Sequence, residues 1–192
     1  MQSPGGASPL AVGWLFNKVD VGHAFWKAEI TNTKVTPNDV LPNDADKIQY
    51  VNKAWGYYPV GLINPGNDFS ASGELRQGGG NGYEVKGLIG RNPFVSVLNY
   101  TKETVRNPGT YVLAERIEVF SKNGDTRIYC TSKAERNCAT VAVDAARTAG
   151  LFLAGNGGHD GTYLYAGDEQ ISSYRFVGHS PWKLAKDLGL NN

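Results

Sequence analysis

Apolar positions recur at helical period most clearly after residue 137. Cys138, Val141, Ala142, Ala145 and Ala149 share one face. Asn137 stands just ahead of them, where its side-chain oxygen can accept from the free N–H groups of a first turn. Gly150 follows and supplies the left-handed residue that commonly ends a helix. The pattern predicts a helix that begins at a cysteine and packs closely through small side chains.

Other stretches carry the alternation of strands. From Val19 to Ile30, Val19, Val21, His23 and Phe25 lie on one face and Ala24, Trp26, Ala28 and Ile30 on the other. Val12 to Val19 is mostly apolar and fits a strand or a helical turn. Thr31 to Asp46, with two prolines and several Asn and Asp, reads as a loop. A second strand is expected between Lys47 and Val60, antiparallel to the first. Gly61 to Gly82 reads as loop. Its run from Gly78 to Gly82 lacks the Lys-Ser/Thr and the following helix that a phosphate-binding loop needs.

Phe94 to Tyr100 is expected as a third strand. Pro108-Gly109 is expected to open a helix through Leu113, Ile117 and Phe120, ending near Asn123-Gly124. Thr126 to Cys130 reads as short and extended, delivering the chain to the cysteine helix. Phe152 to Gly161 is a glycine-rich loop holding His159. Tyr163 to Tyr165 and Ile171 to Val177 read as strands, and Ser180-Pro181 starts a short final helix.

The 192 residues suffice for one domain with a real core. Residues 1–10 are expected to be a flexible linker and residues 11–192 a single catalytic domain. Nineteen basic residues against 18 acidic ones give none of the basic surplus typical of nucleic-acid binders, so no nucleic-acid partner is expected. No apolar run reaches the length of a membrane span. The first nine residues lack the basic start and apolar centre of a signal peptide. Two cysteines are too few for a disulfide scaffold, though Cys130 and Cys138 could pair.

Cys138 is the candidate nucleophile. A helix start favours negative charge and is expected to stabilise its thiolate; the plain alternative is a small buried apolar residue. Thiol catalysis needs a base within hydrogen-bond reach. Of three histidines, His159 reads as solvated surface and His179 as local structure. His23, on an apolar strand after Gly22, is the candidate base. Gln49 and Asn52 on the following strand are candidate orienting or oxyanion groups, but an alternating strand turns them to opposite faces. No metal or other cofactor is expected, since no two ligand types recur at metal spacing.

Gly22-His23-Ala24-Phe25, Trp55-Gly56-Tyr57-Tyr58-Pro59, Tyr129, Asn137-Cys138-Ala139-Thr140 and Ala149-Gly150 together resemble circularly permuted papain-like thiol hydrolases. In that superfamily the histidine strand precedes the cysteine helix. The resemblance covers about residues 20 to 151. It implies an α+β, permuted papain-like fold, with an antiparallel sheet packed on the helix that starts at the nucleophilic cysteine. It further implies Cys138 as nucleophile and His23 as base. The stretch from Tyr129 to Cys138, which holds Cys130, is slightly longer than the family pattern.

The expected function is a cysteine-dependent protease or amidase. A phospholipase or acyltransferase with the same dyad is the alternative, and a non-catalytic binding module of the same fold is the third reading. The resemblance also implies a bacterial toxin effector, delivered by a secretion system without a signal peptide and otherwise cytoplasmic. Its partners would be a protein, peptide or lipid substrate and a cognate immunity protein.

Overall fold

The computed structural model describes residues 23–61, 63, 67–78, 87–120, 124–152, 160–165, 173–181, 184–185 and 188. These described residues form a mixed α/β arrangement with two antiparallel sheets, each of four strands. The first sheet runs in order through β1 (Phe25–Lys27), β2 (Ala54–Val60), β3 (Ser70–Gln77) and β4 (Thr110–Val112). The second contains β5 (Arg116–Phe120), β6 (Thr126–Cys130), β7 (Asp160–Tyr165) and β8 (Ser173–Gly178), in the order β6-β5-β8-β7. No helix of the described residues is long and apolar enough to cross a membrane.

Two helices pack together and against the first sheet, α3 (Arg91–Arg106) and α4 (Cys138–Thr148). The stretch expected as a third strand lies inside α3. Phe94, Val97, Leu98, Thr101 and Thr104 are its buried residues, the spacing of one helical face carried well past the short apolar window. β-branched residues such as Val95 and Val97 suggested a strand, but burial of that whole face outweighs their modest helical penalty. Two buried threonines are satisfied within the helix, Thr101 donating to Val97 O at 2.9 Å and Thr104 to Tyr100 O at 2.8 Å. The Trp26 indole donates to Thr101 Oγ1 at 3.0 Å, and Tyr100 OH donates to Val141 O at 3.3 Å. These bonds fix α3 to both the first sheet and α4.

The helix expected from Pro108 to Asn123 is instead β4 and β5. Leu113 and Ile117 match a helical period only by coincidence. Tyr111, Val112, Ile117, Val119 and Phe120 are strand formers. They pair with β3 on one side and with β6 and β8 on the other.

β3 is hidden in the expected loop because, of its buried residues Ser70, Gly73 and Leu75, only Leu75 is a large apolar side chain. Gly73 pairs with Pro59, and a Cβ there would lie 1.8 Å from the Tyr57 hydroxyl. The missing side chain makes room for Tyr57, whose OH donates to Pro108 O at 2.8 Å.

Between the first two strands lie two short helices, α1 (Pro37–Val40) and α2 (Ala45–Ile48). Strand β2 therefore begins later than its apolar residues suggest. Thr36 and Asp39 form a reciprocal cap on α1. Tyr50 and Val51 belong to a core cluster with Leu41, Phe94, Val97, Leu98 and Ala149. A second cluster gathers Tyr57, Ile63, Phe69, Leu75, Tyr111, Ala114, Ile117 and Val141.

The cysteine helix, the extended segment before it and the two late strands match the sequence pattern. Gly150 has φ 73°, the left-handed conformation expected at the stop. The expected element at 12–19, the run 79–82, His159 and the first-strand residues before His23 lie outside the described residues.

Candidate active site

The α4 start is held by an unusually complete cap. Asn137 is 3% exposed, and its Oδ1 accepts from Ala139 N at 2.9 Å and Thr140 N at 3.1 Å. Thr140 Oγ1 accepts in return from Asn137 N at 2.8 Å. The other end of the Asn137 amide faces three acceptors. They are Leu113 O at 3.0 Å, Glu135 Oε1 at 2.9 Å and His179 O at 2.7 Å. One side chain thus ties the helix start to the β4–β5 connection and to the end of β8.

Glu135 and His179 form the adjoining cluster. His179 N donates to Glu135 Oε1 at 2.7 Å, and Nδ1 lies 2.7 Å from Oε2. The Glu135 side chain is only 4% exposed, and burial raises its pKa above the usual carboxylate value while the His179 contacts oppose that rise. His179, read in the sequence as local structure, thus lies against a buried carboxylate beside the Asn137 cap. The carboxylate is the unforeseen part, because nothing in the local pattern marks Glu135 as buried.

Cys138 opens the helix and is 4% exposed. The backbone of Ala24, Ala139 and Cys138 itself and the Tyr111 side chain act to lower its thiol pKa. Burial nevertheless dominates, and the thiol pKa is pushed up to about 11. This corrects the expectation of a resting thiolate. A helix terminus and several donors favour the anion, but loss of solvation costs more than they return. The resting group is a neutral thiol. Cys130 is exposed and both cysteines are free, so the open question of a disulfide is answered against pairing.

His23 enters the site through strand register. Phe25 pairs with Gly56, so two residues earlier the same antiparallel register brings His23 opposite Tyr58. Their rings stack with centroids 4.2 Å apart and planes 19° apart. His23 Nε2 is buried without a hydrogen-bond partner. Burial lowers the imidazole pKa to about 4, so the ring is neutral around pH 7. The backbone of Ala24, the next residue, is among the groups that lower the Cys138 thiol pKa. No hydrogen bond joins His23 Nε2 to the Cys138 sulfur. The Trp55–Pro59 motif shapes this wall through Gly56 and Tyr58, and the Tyr58 ring also meets the Arg76 guanidinium at 5.7 Å.

Gln49 and Asn52 lie in the connection before β2. Gln49 Nε2 donates to Asp46 O at 3.0 Å. Asn52 Oδ1 accepts from Ile30 N at 2.9 Å, and Asn52 N donates to Ala28 O at 2.8 Å. Asn52 sits at φ 58°, a left-handed conformation that asparagine tolerates, so it fixes the turn beyond Ala28. Both side chains are engaged with backbone groups of this connection.

Among the described residues no group of three or more His, Cys, Asp or Glu side chains is arranged to hold a metal. No protein-family model, curated protein or solved structure matches the chain.

Proposed function

We propose that the chain is a cysteine-dependent hydrolase acting on an amide bond, with Cys138 as nucleophile and His23 as general base. One observation carries this reading. His23 Nε2 is a buried imidazole nitrogen without a hydrogen-bond partner, held against the Tyr58 ring one residue before Ala24, whose backbone acts to lower the Cys138 thiol pKa. Buried polar atoms are normally satisfied, and of the two orphans among the described residues, His23 Nε2 and Trp55 Nε1, only the imidazole can take up a proton. The resemblance of the His23 and Cys138 motifs to permuted papain-like enzymes supports the same assignment.

The resting pair is neutral on both sides, a thiol and an imidazole. A neutral imidazole can accept the thiol proton as sulfur attacks the carbonyl carbon, then return it to the leaving amine. Neither ion need persist in the buried resting site, which would penalise both. The resulting thioester is hydrolysed by water, with His23 again taking and returning a proton. Delivery as a bacterial toxin, with a matching immunity protein, belongs to the same proposal and rests on the resemblance alone.

Expression in the bacterial cytoplasm and export to the periplasm, with Cys138→Ala and His23→Ala in parallel, test this function. A cytoplasmic protease harms cells before export, and a cell-wall amidase only after it. Release of free fatty acid or lysolipid would identify ester chemistry on the same dyad. Toxicity that survives Cys138→Ala would reject the hydrolase and favour a binder that sequesters its partner.

A further inference from the structure

A base in thiol catalysis is commonly oriented by a polar third residue, and the His23 ring is held by another kind of contact. Its Nε2 is buried without a hydrogen bond, and burial is the cause of its lowered pKa, with no carboxylate or amide contributing. Gln49 and Asn52, expected to supply an orienting group, are bonded instead to Asp46 O and Ile30 N. What meets the ring is Tyr58, with centroids 4.2 Å apart and planes 19° apart. Strand register builds the slot. Phe25 and Arg76 both pair with Gly56, and Glu74 pairs with Tyr58, so these positions share one face of the first sheet. Gly56 leaves the floor open, since a Cβ there would strike both rings. The Arg76 guanidinium lies 5.7 Å from the Tyr58 centroid while its Nε donates to Glu74 Oε2 at 2.8 Å, so β3 holds the tyrosine in turn.

We propose that Tyr58 is the positioning residue of His23, doing by ring stacking what a polar third residue does by hydrogen bonding. This rests on the hydrolase reading of His23 as base. A third group has two tasks, holding the imidazole in one orientation and easing the positive charge that it acquires. A parallel aromatic ring serves both. Face contact restricts rotation of the imidazole about its side-chain bonds, and Gly56 sets how deeply it can sit. When the Cys138 thiol proton passes to His23, the electron pair stays on sulfur and the positive charge spreads over an imidazolium lying on the Tyr58 face. A cation within about 6 Å of a ring centroid is attracted by the negative face of that ring. The attraction is weaker than that of a buried carboxylate, which agrees with an imidazole that is neutral at rest.

Imidazole NMR tests this without a substrate. The charged or titratable groups around the stack are Arg76 and Glu74 on β3 and Cys138 at the α4 start, and all are kept in every variant. Nuclear Overhauser contacts from the His23 ring protons to the Gly56 Hα atoms report the orientation. They should persist in Tyr58→Phe, which keeps an aromatic ring, and vanish in Tyr58→Leu. Their survival in Tyr58→Leu overturns the proposal, because other contacts would then hold the imidazole. The second readout separates stacking from space filling. Site-specific difluorophenylalanine at position 58 matches phenylalanine closely in size but has a less negative face. Compared with Tyr58→Phe, it should lower the His23 pKa by about half a pH unit while the contacts to Gly56 remain. Equal values in those two chains overturn the proposal, and this comparison decides alone if Tyr58→Leu does not fold. Failure of the hydrolase reading shows elsewhere, in toxicity that survives Cys138→Ala.

Discussion

Gly56 leaves the space that the His23 imidazole fills: a Cβ at position 56 would stand 2.1 Å from His23 Nε2 and 3.0 Å from Tyr58 Cε2. The glycine belongs to β2, paired with Phe25 two residues beyond the histidine. Its role is therefore steric. Gly56→Ala should push the imidazole off the Tyr58 ring while preserving the β1–β2 ladder. Because a positioned general base commonly contributes about a hundredfold or more, activity should fall by that order. Circular dichroism should show retained secondary structure. Full activity in Gly56→Ala would show that the observed imidazole position is not the working one.

The two thiols should differ in the opposite sense from a simple helix-start argument. Cys130 is exposed, whereas Cys138 is buried and its pKa is pushed up to about 11. Iodoacetamide near neutral pH should label Cys130 first and leave Cys138 largely unmodified. Peptide mapping after brief exposure checks this directly. Faster labelling of Cys138 would mean that its thiolate is stabilised beyond the effect of burial.

Those outcomes reflect what was legible in the chain. The α4 boundaries and cap were readable because Asn137, the small-residue face and Gly150 act locally. The two late strands and β6 were likewise marked by their own residues. The exchange of helix and strand between 91 and 120 was not local. Phe94-Val95-Ser96-Val97 has strand-forming residues, but the surrounding packing buries a longer helical face. β3 was obscured because Gly73 is small to admit Tyr57, a residue distant in sequence. The helix-start pattern points to Cys138 and the apolar strand to His23, yet the neutral state of both groups depends on burial that no local pattern records. Glu135 acquires its partners, Asn137 and His179, only once the chain has folded.

Asn137 offers a combined test of stability and alignment. Its carboxamide satisfies Ala139 N and Thr140 N while donating toward Leu113 O, Glu135 Oε1 and His179 O. Asn137→Ala removes both the cap and the link to β8. The loss should be about 2 kcal/mol or more, since a cap and buried polar satisfaction disappear together. Asn137→Asp should preserve the acceptor side of the cap but place a carboxylate beside Glu135. Denaturant unfolding should therefore rank the native chain above both variants. A loss well below about 1 kcal/mol in Asn137→Ala would show that water replaces the contacts.

His23 also gives folding an acid dependence with a definite sign. In the unfolded chain its imidazole has the ordinary value of 6.5, whereas burial lowers the folded value to about 4. Between those values the unfolded state binds more protons, so falling pH favours unfolding. The stabilising contribution is fully present above pH 6.5 and lost as pH falls toward about 4. At about 1.4 kcal/mol for each pH unit, the separation corresponds to roughly 3 kcal/mol. Denaturant unfolding of the native chain and His23→Gln at neutral pH and near pH 4 isolates this dependence from that of the other titratable groups. The native chain should lose roughly 3 kcal/mol more than the variant across that interval. Parallel losses would show that the folded imidazole takes up its proton near its ordinary value, leaving the neutral resting dyad without support.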